Sequence, residues 1–87
     1  MSATFCFSVH ADADPSVLPR VMAVFAVYGH VPARLHVERG GLAGEDLVVD
    51  AQLDGLDAEE AGLVAKRLGR VVNVVQVLWS EKLRLAA

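Results

Sequence analysis

The sequence predicts an α+β domain in which a four-stranded antiparallel sheet carries two helices on one face. Three observations lead there. Apolar residues recur at every second position over four stretches and at helical spacing over two others. Taken in order, these stretches read strand, helix, strand, strand, helix, strand. The chain has 87 residues, enough for one small core.

The first strand is Thr4 to His10. Phe5, Phe7 and Val9 fall on one face, and Thr4, Cys6, Ser8 and His10 on the other. The next stretch, "ADPSVLPRV" from Ala13 to Val21, holds two prolines four residues apart. Proline lacks an N–H and clashes inside a helix, so Pro19 must lie in the first turn. That favours Ser16 as the N-cap. An Asp14 cap with Pro15 at the first position is the other arrangement, and it strands the Pro15 carbonyl. The stretch is therefore a loop ending in a helix start, with backbone N–H groups near Val17 and Leu18 available to a carboxylate or to water.

The first helix runs to about Tyr28, with Gly29 as its stop. Leu18, Val21, Met22 and Phe25 make its expected core stripe. Arg20, Ala23, Val24 and Val27 form the other side. A helix so short of charge on its outer side is expected to meet a partner there. The second strand is Val31 to Glu38, with Ala33, Leu35 and Val37 opposite Arg34, His36 and Glu38. Pro32 cannot donate to a ladder, so this strand starts irregularly or lies at an edge. "RGGLAGE", Arg39 to Glu45, is a hairpin tip; it lacks the lysine and following helix of a phosphate-binding loop.

The third strand is Asp46 to Leu53, with Leu47, Val49, Ala51 and Leu53 on one face and Val48, Asp50 and Gln52 on the other. Asp57 and Glu60 form a capping box, with Leu56 as a staple. The second helix then buries Ala61, Val64, Ala65 and Leu68, shows Glu59, Lys66 and Arg67 to water, and ends at Gly69. The fourth strand is Val71 to Trp79. Val75, Val77 and Trp79 take one face, and Val72, Val74, Gln76 and Leu78 the other. A strand apolar on both faces is expected to be covered on both. Residues 1–80 make one domain, and 81–87 a tail expected to fray. This order gives the ferredoxin-like split βαβ arrangement, which hosts many functions.

Composition narrows the functions. Of the residues, 54% are hydrophobic and 22% charged, against roughly 45–50% and about 25% in ordinary domains. The surplus apolar surface points to self-association or a partner subunit. The net charge of -3 argues against nucleic acid, whose phosphates call for Lys and Arg. The single cysteine, Cys6, allows no internal disulfide and fits a reducing, cytoplasmic setting. The start of the chain has no basic, apolar leader pattern. The uncharged run from Val21 to Tyr28 is far shorter than the roughly 20 residues that span a bilayer.

Neither a nucleophile–base pair nor a cluster of acids stands out, so catalysis is not expected, and neither is a cofactor or a metal. His10, His30 and His36 lie on separate elements; His10 and His36 share the open sheet face as ordinary surface residues. Cys6 has no CxxC partner, which weighs against a copper carrier. RNA binding would need aromatic residues on the open face, where the pattern places Thr, Cys, Ser and His.

The segment "SVLPRVMAVFAVYGHVPARLHV", Ser16 to Val37, resembles the first helix and second strand of ACT domains. The match is strongest with the short, one-domain form of the small regulatory subunit of acetolactate synthase. Leu18, Arg20, Val21, Phe25, Gly29, Leu35 and Val37 carry the likeness, and "RVVNVVQV" from Arg70 resembles that family's last strand. The resemblance implies regulation rather than catalysis. It implies a homodimer joined through a sheet edge and the first helix, with an amino acid bound at the seam. It further implies a partner, the catalytic subunit of acetolactate synthase in branched-chain amino-acid synthesis. A free-standing homodimer that senses a small molecule is the alternative.

The loop departs from the family pattern. Ala13 and Ser16 stand where effector-binding members have Asn and Gly, and Val31 stands where an Asn follows the helix. Pairing is therefore expected to persist, with amino-acid sensing weak or absent. A ligand, if bound, is expected at Asp14, Ser16, Val17 and Leu18, with His30 and Val31 nearby.

Overall fold

The computed structural model describes residues 3–82. The elements are β1 (Ala3–Asp12), α1 (Val17–Val27), β2 (Arg34–Gly40), β3 (Asp46–Leu56), α2 (Ala58–Leu68) and β4 (Val74–Glu81). The sheet order is β2-β3-β1-β4, with every neighbouring pair antiparallel. Two helices lie on one face, as the alternation of β1 requires. Phe5, Phe7 and Val9 are buried on that face with Val49, Ala51 and Leu53 of β3.

Helix α1 begins at Val17, so Pro19 lies in its first turn, where its missing N–H costs no helical bond. Its buried stripe differs from the expected one. Val17, Val21, Val24 and Phe25 are buried, while Leu18 and Met22 are half-covered. Val24 therefore belongs to the core rather than to the outer side. Val17 is the cause: once it anchors the helix start in the core, the residue seven positions on follows it. Ala23 and Val27 remain exposed as expected. At the far end the Gly29 N–H reaches the Ala26 carbonyl at 3.0 Å and the His30 N–H reaches the Phe25 carbonyl at 2.8 Å. This Schellman closure needs a left-handed residue, and Gly29 has φ +77°.

In α2 the four expected core residues are the buried ones, and Asp57 accepts the Glu60 N–H at 2.8 Å. The reciprocal half of the capping box is replaced, because the Glu60 carboxylate turns to His30 Nε2 on the loop after α1.

The strand ends move for identifiable reasons. β2 starts at Arg34 rather than Val31, past Pro32, and runs on to Gly40. The tip "RGGLAGE" turns between Gly40 and Asp46, which pair; Gly41 and Gly44 take positive φ there, and Arg39 Nε donates to the Gly44 carbonyl at 2.9 Å. β3 continues to Leu56, which pairs with Ala3. β4 starts at Val74, because Val71 to Asn73 form a turn in which Asn73 has φ +74° and the Val74 N–H reaches the Val71 carbonyl. Val72 is therefore off the sheet. The β1–β4 register shifts between His10 and Ala11, which leaves Val75 as a bulge.

The largest correction concerns β4. It is an edge strand, and Val75, Leu78 and Trp79 are 75%, 51% and 42% exposed instead of covered on both faces. Leu78 lies on the open sheet face, which neither helix covers; Val75 is the unpaired residue where the register shifts; and Trp79, though on the helix side, sits at the rim of the sheet because β4 is its edge. Glu81, expected in the tail, pairs with Phe5, and the Lys82 N–H bonds the Thr4 carbonyl. The rest of the expected tail, 83–87, lies outside the described residues. Among the described residues no helix is long and apolar enough to cross a membrane.

Candidate functional site

The loop from β1 to α1 is pinned at several points. The Ala13 N–H reaches the Glu45 carbonyl and the Asp14 N–H reaches the Asp12 carbonyl, both at 2.8 Å. Asp14 Oδ1 accepts the Ser16 N–H at 2.9 Å and the Ser16 hydroxyl at 2.6 Å. Ser16 flanks the helix as expected, but it does not cap it: its backbone is already helical and its hydroxyl is spent on Asp14. The Val17 N–H, expected to be free for a ligand, bonds the Asp14 carbonyl at 3.1 Å. Asp14 thus organises the loop through both its side chain and its backbone.

Those Ser16 bonds, the hydroxyl first and then the N–H, hold the Asp14 carboxyl below its ordinary range; the charge of Arg20 adds to this. A carboxyl depressed in the fold adds stability above its unfolded value, and loses it as pH falls through the folded value. Ser16→Ala is expected to move the Asp14 titration upward toward the ordinary range. A carboxyl-detected NMR titration checks this, and an unmoved Asp14 would refute the assignment of cause.

A cavity of about 290 Å³ opens beside this loop, lined by Ala13, Asp14, Pro15, Leu18, Val37, Arg39 and Leu47. It lies between the start of α1 and the ends of β2 and β3. Its walls are mainly apolar, with one carboxylate and one guanidinium at its margin. That donor set suits a small zwitterion: Asp14 for an ammonium, Arg39 for a carboxylate, and Leu18, Val37 and Leu47 for an apolar side chain.

Of the expected ligand residues, Asp14 and Leu18 line this cavity and Ser16 holds Asp14 in place. Val17 is buried in the core. His30 and Val31 lie beyond the other end of α1, an 11-residue helix about 16 Å long. His30 Nε2 meets Glu60 Oε1 at 2.5 Å, while Val31 is 90% exposed. One copy of the chain therefore does not gather all six. Arg39, Val37 and Leu47 were not read as site residues. Only the pairing of β2 with β3 brings them to the loop, and no local pattern carries that information.

The open sheet face holds a second concavity of about 670 Å³, whose lining includes Cys6, Ser8, Arg34, His36, Asp50 and Gln52. His36, Asp50 and Ser8 form one cross-strand row. Asp50 is in the middle, so His36 and Ser8 are two strand spacings apart, about 9.5 Å. That is beyond a nucleophile–base bond of ~3 Å. Ser8 Oγ does lie 3.1 Å from His10 Nε2, but among the described residues no acid orients that imidazole. Among the described residues no group of three or more His, Cys, Asp or Glu could hold a metal ion. The ring of Trp79 packs toward Phe5, 6.0 Å between centroids, on the helix side of the sheet and away from the open face.

A family model described as ACT-like domain matches residues 1–86. Among solved structures, the ACT domain of GTP pyrophosphokinase from Chlorobium tepidum superposes with a TM-score of 0.79 at 6% identity, over 92% of this chain and all (100%) of that one. The small subunit of acetolactate synthase from Thermotoga maritima gives a TM-score of 0.70 at 23% identity, over 86% of this chain and 45% of that one. A homoserine dehydrogenase from Thiobacillus denitrificans gives 0.74 at 8% identity, over 93% of this chain and 17% of that one. At these identities the structural likenesses establish the fold. No curated protein matches the chain.

Proposed function

The chain belongs to the ACT-like domain family, and from that premise we propose that it is a regulatory, non-catalytic subunit whose edge and first helix pair with a second copy. The observation that carries this is the placing of the zwitterion-suited cavity against an unfinished apolar edge. Val37 lines the cavity and is still 38% exposed; Leu35 is 43% and Val27 74% exposed. A second copy would cover these side chains and close the cavity.

The ligand class proposed is an amino acid with a small apolar side chain. Asp14 Oδ1 is occupied by Ser16, so the ammonium would rest on Oδ2. The partner enzyme proposed is the catalytic subunit of acetolactate synthase, supported by the fold shared with that enzyme's small subunit and by the sequence likeness of Ser16 to Val37. The chain covers less than half of that small subunit, so the interaction rests on the ACT-like part alone.

Two measurements separate the readings. Mixing with an acetolactate synthase catalytic subunit is expected to raise its activity; unchanged activity contradicts the partner assignment. Thermal shift against single amino acids is expected to respond to an apolar member, since a ligand at 100 times its Kd adds about 2.7 kcal/mol. A shift without any effect on the enzyme favours the free-standing sensor.

A further inference from the structure

The groove between α2 and the free edge of β4 has the form of a site for an extended chain. We propose that a segment of the partner polypeptide adds there as a fifth strand, antiparallel to β4, a step that rests on the regulatory reading for the existence of that partner.

The backbone sets the first condition. The Lys82 N–H to Thr4 carbonyl bond extends the β1–β4 ladder. Gln76, Leu78 and Ser80 therefore spend their amides on His10, Ser8 and Cys6. Val77, Trp79 and Glu81 are left with N–H and C=O groups at the free edge, and an added strand bonds to these in turn. Directly opposed residues share a face of the sheet. Val77 and Trp79 pair with Val9 and Phe7, which are buried on the helix side. Each residue that bonds to the edge therefore turns its side chain toward α2.

Space for those side chains is present. A cavity of about 390 Å³ lies between the two elements, with Gly62, Ala65 and Gly69 of α2 on one wall and Val75, Val77 and Trp79 of β4 on the other. The small residues recur at helical spacing, so one face of α2 is nearly bare. Gly62 lies inside the helix, where glycine is a poor helix former. The chain's own packing does not require it: an added Cβ would meet only the Trp79 ring, at 3.8 Å, an ordinary contact. The missing side chain leaves room for one from outside, against Val75 and Trp79, which are already open to water. An open edge beside a pocket for alternate side chains is the arrangement by which strand addition gains affinity and selectivity.

The charges choose the direction and the occupant. Gly62 sits at Trp79, and Lys66 and Gly69 lie toward the start of β4, so α2 runs opposite to β4. Glu59, one turn before Gly62, lies toward the other end, where β4 closes with Glu81. Among the described residues Glu59, Lys66 and Glu81 form no ion pair. An antiparallel strand enters at the Glu81 end and leaves at the Lys66 end. The matching segment has a basic residue first, apolar residues at alternate positions, and an acid last. A helix cannot use the edge amides. A second copy fits poorly: with β2 already paired, a β4-to-β4 seam would give each chain two two-fold contacts and an open-ended ribbon instead of a closed assembly.

The test uses the full chain, with its one tryptophan, Trp79, as reporter. The probe is the end-blocked peptide Thr-Lys-Thr-Val-Thr-Val-Thr-Glu, whose lysine, valines and glutamate fall opposite Glu81, Trp79, Val77 and Val75. It is expected to bind and to change Trp79 emission. Exchanging its lysine and glutamate is expected to weaken binding about tenfold. N-methylation of the two valines, whose amides point at β4, is expected to abolish binding; N-methylation of the threonine between them is not. Gly62→Leu fills the groove and is expected to weaken binding at least about tenfold with native circular dichroism. Val77→Pro removes an edge amide that bonds nothing within the chain, and is expected to act likewise. Trp79 emission unmoved by millimolar peptide, or binding indifferent to valine methylation, overturns the fifth strand; activation of acetolactate synthase by the same chain would leave the regulatory reading standing without it. A wild-type chain that assembles beyond a dimer as concentration rises, and is cut back by Val77→Pro, also overturns it, because a second copy then fills the groove. Binding as expected without activation of that enzyme supports the groove and removes only the named enzyme.

Discussion

Phe25→Ala is expected to remove most of the stability of this fold, about 3–5 kcal/mol, the usual cost of emptying a buried phenylalanine site. Phe25 is 0% exposed, and its ring lies 6.5 Å from that of Phe7 across the helix–sheet boundary. With Val17 and Val21, also fully buried, it seats α1 on the sheet, and it is the largest of the three. A domain of this size holds only about 5–15 kcal/mol in all, so the variant will be close to unfolded at ambient temperature. Urea unfolding followed by circular dichroism reads the effect. Leu42→Ala, at a fully exposed hairpin-tip leucine, is the control and should move the midpoint little. A Phe25→Ala midpoint within experimental error of wild type would mean that α1 is not seated as described.

Leu35→Asp/Val37→Asp is expected to have a large effect of a different kind. Both side chains are already partly open to water in one copy, so the monomer should keep its fold. In the proposed pair each is covered by the other chain, twice per dimer. Covering a side chain of this type is worth about 1 kcal/mol for the fraction still exposed, and four carboxylates would now meet at the seam. Dimer dissociation should strengthen by at least about a hundredfold. Circular dichroism should stay native while sedimentation shifts to monomer. A variant that stays dimeric would place the seam away from β2.

The sequence showed most clearly what local chemistry determines. Asp57 and the stripe Ala61, Val64, Ala65 and Leu68 define α2, because a cap and a helical period are readable from neighbouring residues. Gly29 closes α1, because only a residue free to take positive φ completes that turn without strain. The tip "RGGLAGE" was legible for the same reason. Val24 was misplaced because several apolar stripes compete on α1, and the loop geometry that seats Val17 chooses among them.

The site was legible only in part. Asp14 and Leu18 follow from the loop itself. Arg39, Val37 and Leu47 reach it through strand pairing, a contact between distant segments that spacing along the chain does not encode. The exposure of Trp79 has the same origin, since an apolar strand reads alike whether it is central or at an edge, while Leu78 is open because its face of the sheet is bare. His30 was read beside the ligand, and its nearest partner is Glu60 on the other helix. Within one copy the length of α1 keeps it from the loop.

The account depends most on association: the apolar side formed by β2 and α1 is an interface that one copy leaves unfinished. Sedimentation equilibrium of the wild-type chain across a wide concentration range addresses this directly. A mass of two chains, or an even multiple, held well into dilution is the expected result; a soluble monomer at every concentration, with the same Leu35 and Val37 open to water, would contradict it.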